Sequence, residues 1–175
     1  MNPAMRVTAD EERVQRAWVV LGQVLDPEVP ALSVCDLGIV RDVLPRGDGV
    51  EVVLTPTYSG CPATEVIERS VIEAIELAGL GPASVSLRRA PAWTTDWISD
   101  EGRRKLREYG IAPPSGNASA AQGQPIRIFR REPALECPRC SSKHTERLSA
   151  FGSTACKALY RCIACKEPFE YFKPI

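Results

Sequence analysis

Four cysteines near the C-terminus constrain this chain more than any other feature. Cys137 and Cys140 form one Cys-x-x-Cys pair and Cys162 and Cys165 a second, with 21 residues between the pairs. Each pair can aim two thiolates at one point, so two such knuckles on facing hairpins complete a closed tetrahedral site for a borderline-soft divalent ion. Zinc suits that donor set best; a single iron ion or a set of disulfides are the alternatives the spacing allows. A closed four-thiolate site leaves no position for water or substrate. Its expected role is therefore to fold a segment too small to bury a core of its own. Cys156 lies six positions before Cys162, outside both knuckles, and is not expected to be a ligand.

The chain has 175 residues, enough for one domain of ordinary size or for a domain of about 110 residues followed by a small metal-stabilised one. Charge supports the split: residues 1–125 hold 12 Lys/Arg against 17 Asp/Glu, whereas 126–175 hold 10 against 5. Between the halves, residues 113–125 (PPSGNASAAQGQP) carry no charge and no large apolar side chain, and read as a flexible linker spanning on the order of 20 Å. The expected order is a domain over 8–112, a linker over 113–125 and a zinc ribbon over 126–175. The ribbon's basic residues form no regular stripe and the whole chain is neutral, which argues against nucleic acid as a partner. No apolar run approaches the ~18 residues of a membrane span, and residues 1–12 lack the apolar core of a signal peptide. Seven cysteines, an odd number with four in metal spacing, suit a reducing cytoplasm better than a disulfide framework.

Secondary-structure patterning makes the first domain α+β. Val14, Ala17, Trp18, Leu21, Val24 and Leu25 recur at helical spacing behind Thr8 and Glu11, which are placed as a capping box, and Asp26-Pro27 is expected to end that helix. Ile39–Leu44 and Val50–Thr55 read as a hairpin around Arg46-Gly47-Asp48-Gly49. A second helix is expected from Pro62 to Gly79, and a strand with one buried and one wet face over Ala83–Arg89. The result is a two-layer α-β-β-α-β domain, with two helices on one face of a three-stranded sheet and a last helix over Ser99–Tyr109.

Cys61 is the residue of this domain that carries potential chemistry. It stands in Thr57-Tyr58-Ser59-Gly60-Cys61-Pro62, between a strand and a helix, where the positive helix end would favour thiolate and improve the sulfur as ligand or nucleophile. A small buried hydrophobe at a packed turn is the alternative. The chain's one histidine, His144, lies in the metal segment, so no base supports a catalytic thiol, and Cys61 has no Cys-x-x-Cys partner for thiol exchange. A ligand role is left. Cys35 and Asp36, just before the first strand, could reach the same end of the sheet, or serve as a buried thiol and a turn-capping carboxylate.

Asp26-Pro27-Glu28-Val29-Pro30, Asp36-Leu37-Gly38-Ile39-Val40 and Gly60-Cys61-Pro62 resemble the SufT-like family of iron–sulfur cluster assembly factors over roughly residues 10–110. With the ribbon, its Phe151-to-Lys157 and Glu167-Pro168-Phe169 segments, and Ala92-to-Trp97, the whole chain resembles the PaaD family, accessory components of bacterial phenylacetyl-CoA epoxidase systems. The resemblance implies a non-catalytic factor that matures the epoxidase in phenylacetate catabolism by handling iron or a cluster for its iron–sulfur reductase. The family's reactive cysteine carries over to Cys61 and its acidic position to Asp36 as a candidate iron or cluster site. Cys35 and the ribbon depart from the single-domain members.

A two-iron cluster takes four protein ligands and Cys61 supplies one, so a transient cluster would need Cys35, a small thiol, the recipient, or a second protomer in a homodimer. The competing class is an adaptor that holds the epoxidase components together, with Trp93, Trp97, Phe169, Tyr171 and Phe172 as anchors or as core. An oxidoreductase acting through Cys61 and Cys35 lacks any cofactor fingerprint.

Overall fold

A computed structural model of the chain describes residues 8–58, 60–115 and 135–175. The linker from residue 116 onward and the expected ribbon start at 126–134 lie outside the described residues. The chain forms two compact units, Met1–Trp93 and Thr94–Ile175.

In the first unit, α1 (Ala9–Leu21) opens with a reciprocal capping box: Thr8 Oγ1 accepts from Glu11 N at 3.2 Å and Thr8 N donates to the Glu11 carboxylate at 2.7 Å. The helix stops at Gly22, four residues before Asp26-Pro27. Val24 and Leu25 therefore belong to an irregular segment that returns through a Leu25–Ser33 bridge. The turn is closed by Asp26, whose Oδ1 accepts from Glu28 N and Val29 N. Strands β1 (Val40–Arg46) and β2 (Gly49–Leu54) form the expected antiparallel hairpin, and β3 (Ala83–Leu87) adds in parallel to β2, giving the order β1-β2-β3. The second helix, α2 (Thr64–Leu77), connects β2 to β3.

Alternate residues of the central strand, Val50, Val52 and Leu54, join Ala17 and Leu21 of α1 and Ile67, Val71 and Ile75 of α2 in the core. Each such aliphatic side chain stabilises the fold by about 1.5–3 kcal/mol. Strand β3 lacks the expected contrast of faces: Val85 is only half-buried and Leu87 exposed, because the strand lies at the sheet edge.

The β1–β2 turn and the turn leading into β3 touch backbone to backbone. A Cβ on Gly81, whose φ is +88°, would lie 2.1 Å from Asp48 O. Gly81→Ala combines left-handed strain of about 1–2 kcal/mol with overpacking of similar size, so urea unfolding of the first unit is expected to show a loss of about 2–4 kcal/mol.

The second unit begins with a single 3-10 turn at Thr95–Trp97 and helix α3 (Asp100–Tyr109), capped by Ser99 Oγ and ended by Gly110 at φ +95°. A four-stranded sheet follows in the order β4-β7-β6-β5, built from β4 (Ile111–Ala112), β5 (Thr145–Ser149), β6 (Lys157–Cys162) and β7 (Pro168–Phe172). Residues 94–112, expected with the first domain, thus fold with the ribbon. Thr95 N donates to Ile175 O at 3.1 Å, the Thr95 hydroxyl accepts from Ile175 N, and β4 pairs with β7 in parallel. The uncharged stretch from residue 113 marks a change in composition, whereas pairing one residue earlier decides which core the chain joins.

Candidate metal centre and the Cys61 loop

The sulfurs of Cys137, Cys140, Cys162 and Cys165 all lie within 4.8 Å of one another, with Cys140–Cys162 at 3.5 Å, Cys137–Cys165 at 3.8 Å and no disulfide. Zinc held by four sulfurs at ~2.3 Å has sulfur–sulfur edges of about 3.8 Å, so the quartet fits that ion. The two knuckles repeat one hydrogen-bond pattern. Ser141 N donates to Cys137 O and Cys137 N to Ser142 O; Lys166 N donates to Cys162 O and Cys162 N to Glu167 O. Ser141 and Lys166 close their turns at positive φ, 59° and 68°.

Repeated turns of this kind direct backbone N–H groups toward sulfur. Cys165 N lies 3.5 Å from Cys162 Sγ, and this contact leads the influences that lower the Cys162 thiol, while its neighbours Cys140 and Cys165 are pushed up, so in the metal-free quartet Cys162 is the thiolate and the others keep their protons. Behind the knuckles, Tyr160 stacks on Phe169 and meets Tyr171 edge-on, with Leu135 and Ala158 completing a small core. Cys156 is buried outside the quartet, its sulfur 3.0 Å from Thr154 Oγ1, as expected for a non-ligand.

Spacing did not reveal the ion pair beside this core. Lys157, with a side chain 3% exposed, meets Glu170 at 2.8 Å, and Ser153 N donates to the same carboxylate at 2.6 Å. Burial pushes the Glu170 carboxyl up, but Lys157 and Ser153 outweigh it and hold the group below its usual range. This contribution to stability is full above the ordinary glutamate range and is lost as pH falls through the lowered value. Lys157→Met leaves the carboxylate without its cation and is expected to cost about 3 kcal/mol in urea unfolding of the metal-loaded protein. Lys157 ends one segment that the sequence marks and Glu170 follows directly after another, Glu167-Pro168-Phe169, but alternation on strands β6 and β7 gives no hint that a lysine points inward.

In the first unit, Cys61 is half-buried in the turn before α2: Cys61 N donates to Tyr58 O and Thr64 N to Cys61 O. The helix starts at Thr64, two residues later than expected, with Ala63 as its N-cap and no side-chain cap. Asp36 is buried and accepts from Ser33 N at 3.0 Å and Ser33 Oγ at 2.8 Å, while its own N–H donates to Ser33 Oγ. The carboxylate thus caps a turn. Burial first, and the Asp36 charge second, push the neighbouring Cys35 thiol up to about 11. Among the described residues the cysteine quartet is the one group of three or more Cys, His, Asp or Glu placed to share an ion; Cys35, Asp36 and Cys61 form no such group.

Of the five aromatics considered as anchors, Trp93, Phe169, Tyr171 and Phe172 are core, Trp93 donating its indole N–H to Leu37 O at 2.9 Å, and only Trp97 is half-exposed.

An α+β unit with a cysteine in the turn before its second helix is thus followed by a four-cysteine, metal-binding ribbon. Residues 14–87 match the family described as iron–sulfur cluster assembly protein, and 121–173 match the PaaD zinc beta ribbon domain. A protein of Escherichia coli K12, described as one of the subunits of 1,2-phenylacetyl-CoA epoxidase, is 50% identical over 93% of this chain and 94% of its own length. The chain belongs to this PaaD family of phenylacetyl-CoA epoxidase components.

Among solved structures, a domain of unknown function from Bacillus anthracis is similar in fold, with a TM-score of 0.52 and 23% identity over 56% of this chain and 94% of that one. A conserved hypothetical protein of Thermotoga maritima matches 58% of this chain and 98% of its own at 33% identity, with a TM-score of 0.44. Both matches cover little more than half of this chain.

Proposed function

We propose that the chain is a non-catalytic maturation factor of phenylacetyl-CoA epoxidase in aerobic phenylacetate degradation, and that its α+β unit delivers iron or an iron–sulfur cluster to the reductase component. The observation that carries this reading is the Cys61 thiol. It is half-buried in the turn before α2, in a region matching iron–sulfur assembly proteins, and belongs to no complete ligand group among the described residues. One thiolate is a quarter of the ligation a two-iron cluster needs. The recipient, a second protomer or a small thiol must complete the shell, so the cargo is held weakly and leaves readily. Asp36 is assigned to the same end of the unit as a secondary candidate, with Cys35, half-buried beside it, as a further thiol that could complete the shell.

Zinc on the cysteine quartet is structural in this reading, because four thiolates fill its coordination shell. A reducing cytoplasm suits seven free thiols. The scaffold alternative loses support from the burial of four of its five proposed aromatic anchors.

Iron and acid-labile sulfide, measured on protein purified without oxygen and mixed with the cluster-free reductase, test the proposal. Iron and sulfide are expected to move to the reductase with loss from this chain. A reductase that acquires its cluster equally fast without this chain sinks the carrier reading.

A further inference from the structure

We infer that the metal ribbon carries a peroxide-reactive modification site, in which the exposed sulfurs of Cys140 and Cys165 are oxidised and the buried sulfurs of Cys162 and Cys137 close two disulfides between the knuckles. The four ligands are unequal. Cys137 and Cys162 are 1% and 0% exposed, whereas Cys140 and Cys165, the second cysteine of each knuckle, lie at the surface. A closed four-thiolate shell leaves no position on the metal for a substrate, yet sulfurs at the surface stay nucleophilic toward a small neutral oxidant arriving from solvent. Zinc has no redox chemistry of its own, so oxidation of such a centre falls on sulfur.

Sulfur placement selects the pairing. Cys140 Sγ lies 3.5 Å from Cys162 Sγ, and Cys165 Sγ lies 3.8 Å from Cys137 Sγ. Each contact runs between knuckles and joins an exposed sulfur to a buried one, and together they use the whole quartet. Cys156, the remaining thiol of this unit, is buried outside the quartet with its sulfur 3.0 Å from Thr154 Oγ1, and takes no part.

The chemistry balances in two identical halves. The exposed thiolate attacks one oxygen of hydrogen peroxide: an S–O bond forms, the O–O bond breaks, and hydroxide leaves to become water with a proton from solvent. The buried thiolate then attacks the sulfenic sulfur, an S–S bond forms, and the S–O bond breaks with loss of a second hydroxide, likewise protonated. Over both halves four thiolates lose four electrons, two peroxides become four waters, and the quartet, left without thiolates, releases its ion. A dithiol reverses each disulfide by exchange and regenerates the ligands. This inference rests on the quartet alone and is independent of whether iron passes through Cys61.

Titration of the full, metal-loaded chain with hydrogen peroxide, followed with a zinc-sensitive dye, tests it. About one zinc per chain is expected to leave for every two peroxides consumed, and dithiothreitol with added zinc is expected to restore the centre. Cleavage after Arg139, Lys143, Arg161 and Lys166 leaves Cys162 and Cys165 on one peptide. The inferred pairing therefore yields a single three-peptide species, whereas pairing within the knuckles yields separate ones, and fragment ions between Cys162 and Cys165 assign the links. The double variant Cys35→Ser/Cys61→Ser is expected to change the rate of zinc release by less than about twofold, because neither thiol relays the oxidation. Zinc retained while peroxide is consumed, disulfides within the knuckles, sulfinic acids without disulfides, or release that slows further in the double variant overturns the inference.

Discussion

Stripping the metal from the cysteine quartet is expected to melt α3 together with the ribbon while residues 8–93 stay folded. Structural zinc is worth ~10 kcal/mol or more, and a unit of this size draws no more than about 3–5 kcal/mol from its own core, so the loss cannot be absorbed. The effect should reach α3 because the first knuckle holds its end. Gly110, the left-handed cap of α3, lies close enough to Arg139 that an added Cβ would sit 3.5 Å from the guanidinium, and β4 immediately after it pairs with β7. Arg103 anchors the other side of the helix by donating to Thr95 O and Pro114 O. Hydrogen exchange before and after chelation reads this directly: amides of Asp100–Tyr109 should lose protection with those of β6 and β7, and those of β2 and α2 should keep theirs. Retained protection in α3 would assign it to the first unit after all. Cys140→Ser and Cys162→Ser should reproduce the chelated state.

Replacing Cys61 by serine is expected to leave fold, stability and zinc content unchanged, since the side chain is half-buried in a turn whose hydrogen bonds run through backbone atoms. Reductase produced alongside the variant should nonetheless contain less than about a tenth of its normal iron and sulfide, because the first unit holds no other cysteine but Cys35, which shares no ligand group with Cys61. A reductase with its full cluster would refute delivery through Cys61. Asp36→Asn separates the two roles of that carboxylate. As a turn cap accepting from Ser33 it should cost about 1 kcal/mol of stability and leave reductase iron intact, whereas a ligand to the cargo would lower iron without a matching loss of stability.

Much of the architecture was legible in the amino-acid order because local rules and periodicity agree there. The Thr8–Glu11 capping box, the hairpin about residues 46–49, the apolar stripe of α2 and the paired Cys-x-x-Cys knuckles each depend on residues close in sequence, so spacing alone locates them. Three features depended on long-range packing. The stripe continuing to Val24 and Leu25 promises a longer α1, but the chain leaves the helix at Gly22 and buries Val24 from an irregular segment closed by Asp26. Composition places residues 94–112 on the other side of the unit boundary, because a charged helix with only Gly102 and Leu106 buried does not announce which core receives them. The Lys157–Glu170 pair required strands β6 and β7 to be side by side before a lysine could be buried at all.

The sequence by itself thus determined the metal quartet, the α-β-β-α-β order and the position of Cys61, since each follows from nearest-neighbour geometry. Only the tertiary structure decided which unit owns α3, which aromatics are core, and which sulfurs of the quartet are exposed. These depend on hydrogen bonds, ion pairs and burial between segments tens of residues apart, whose free energies have no counterpart in local spacing.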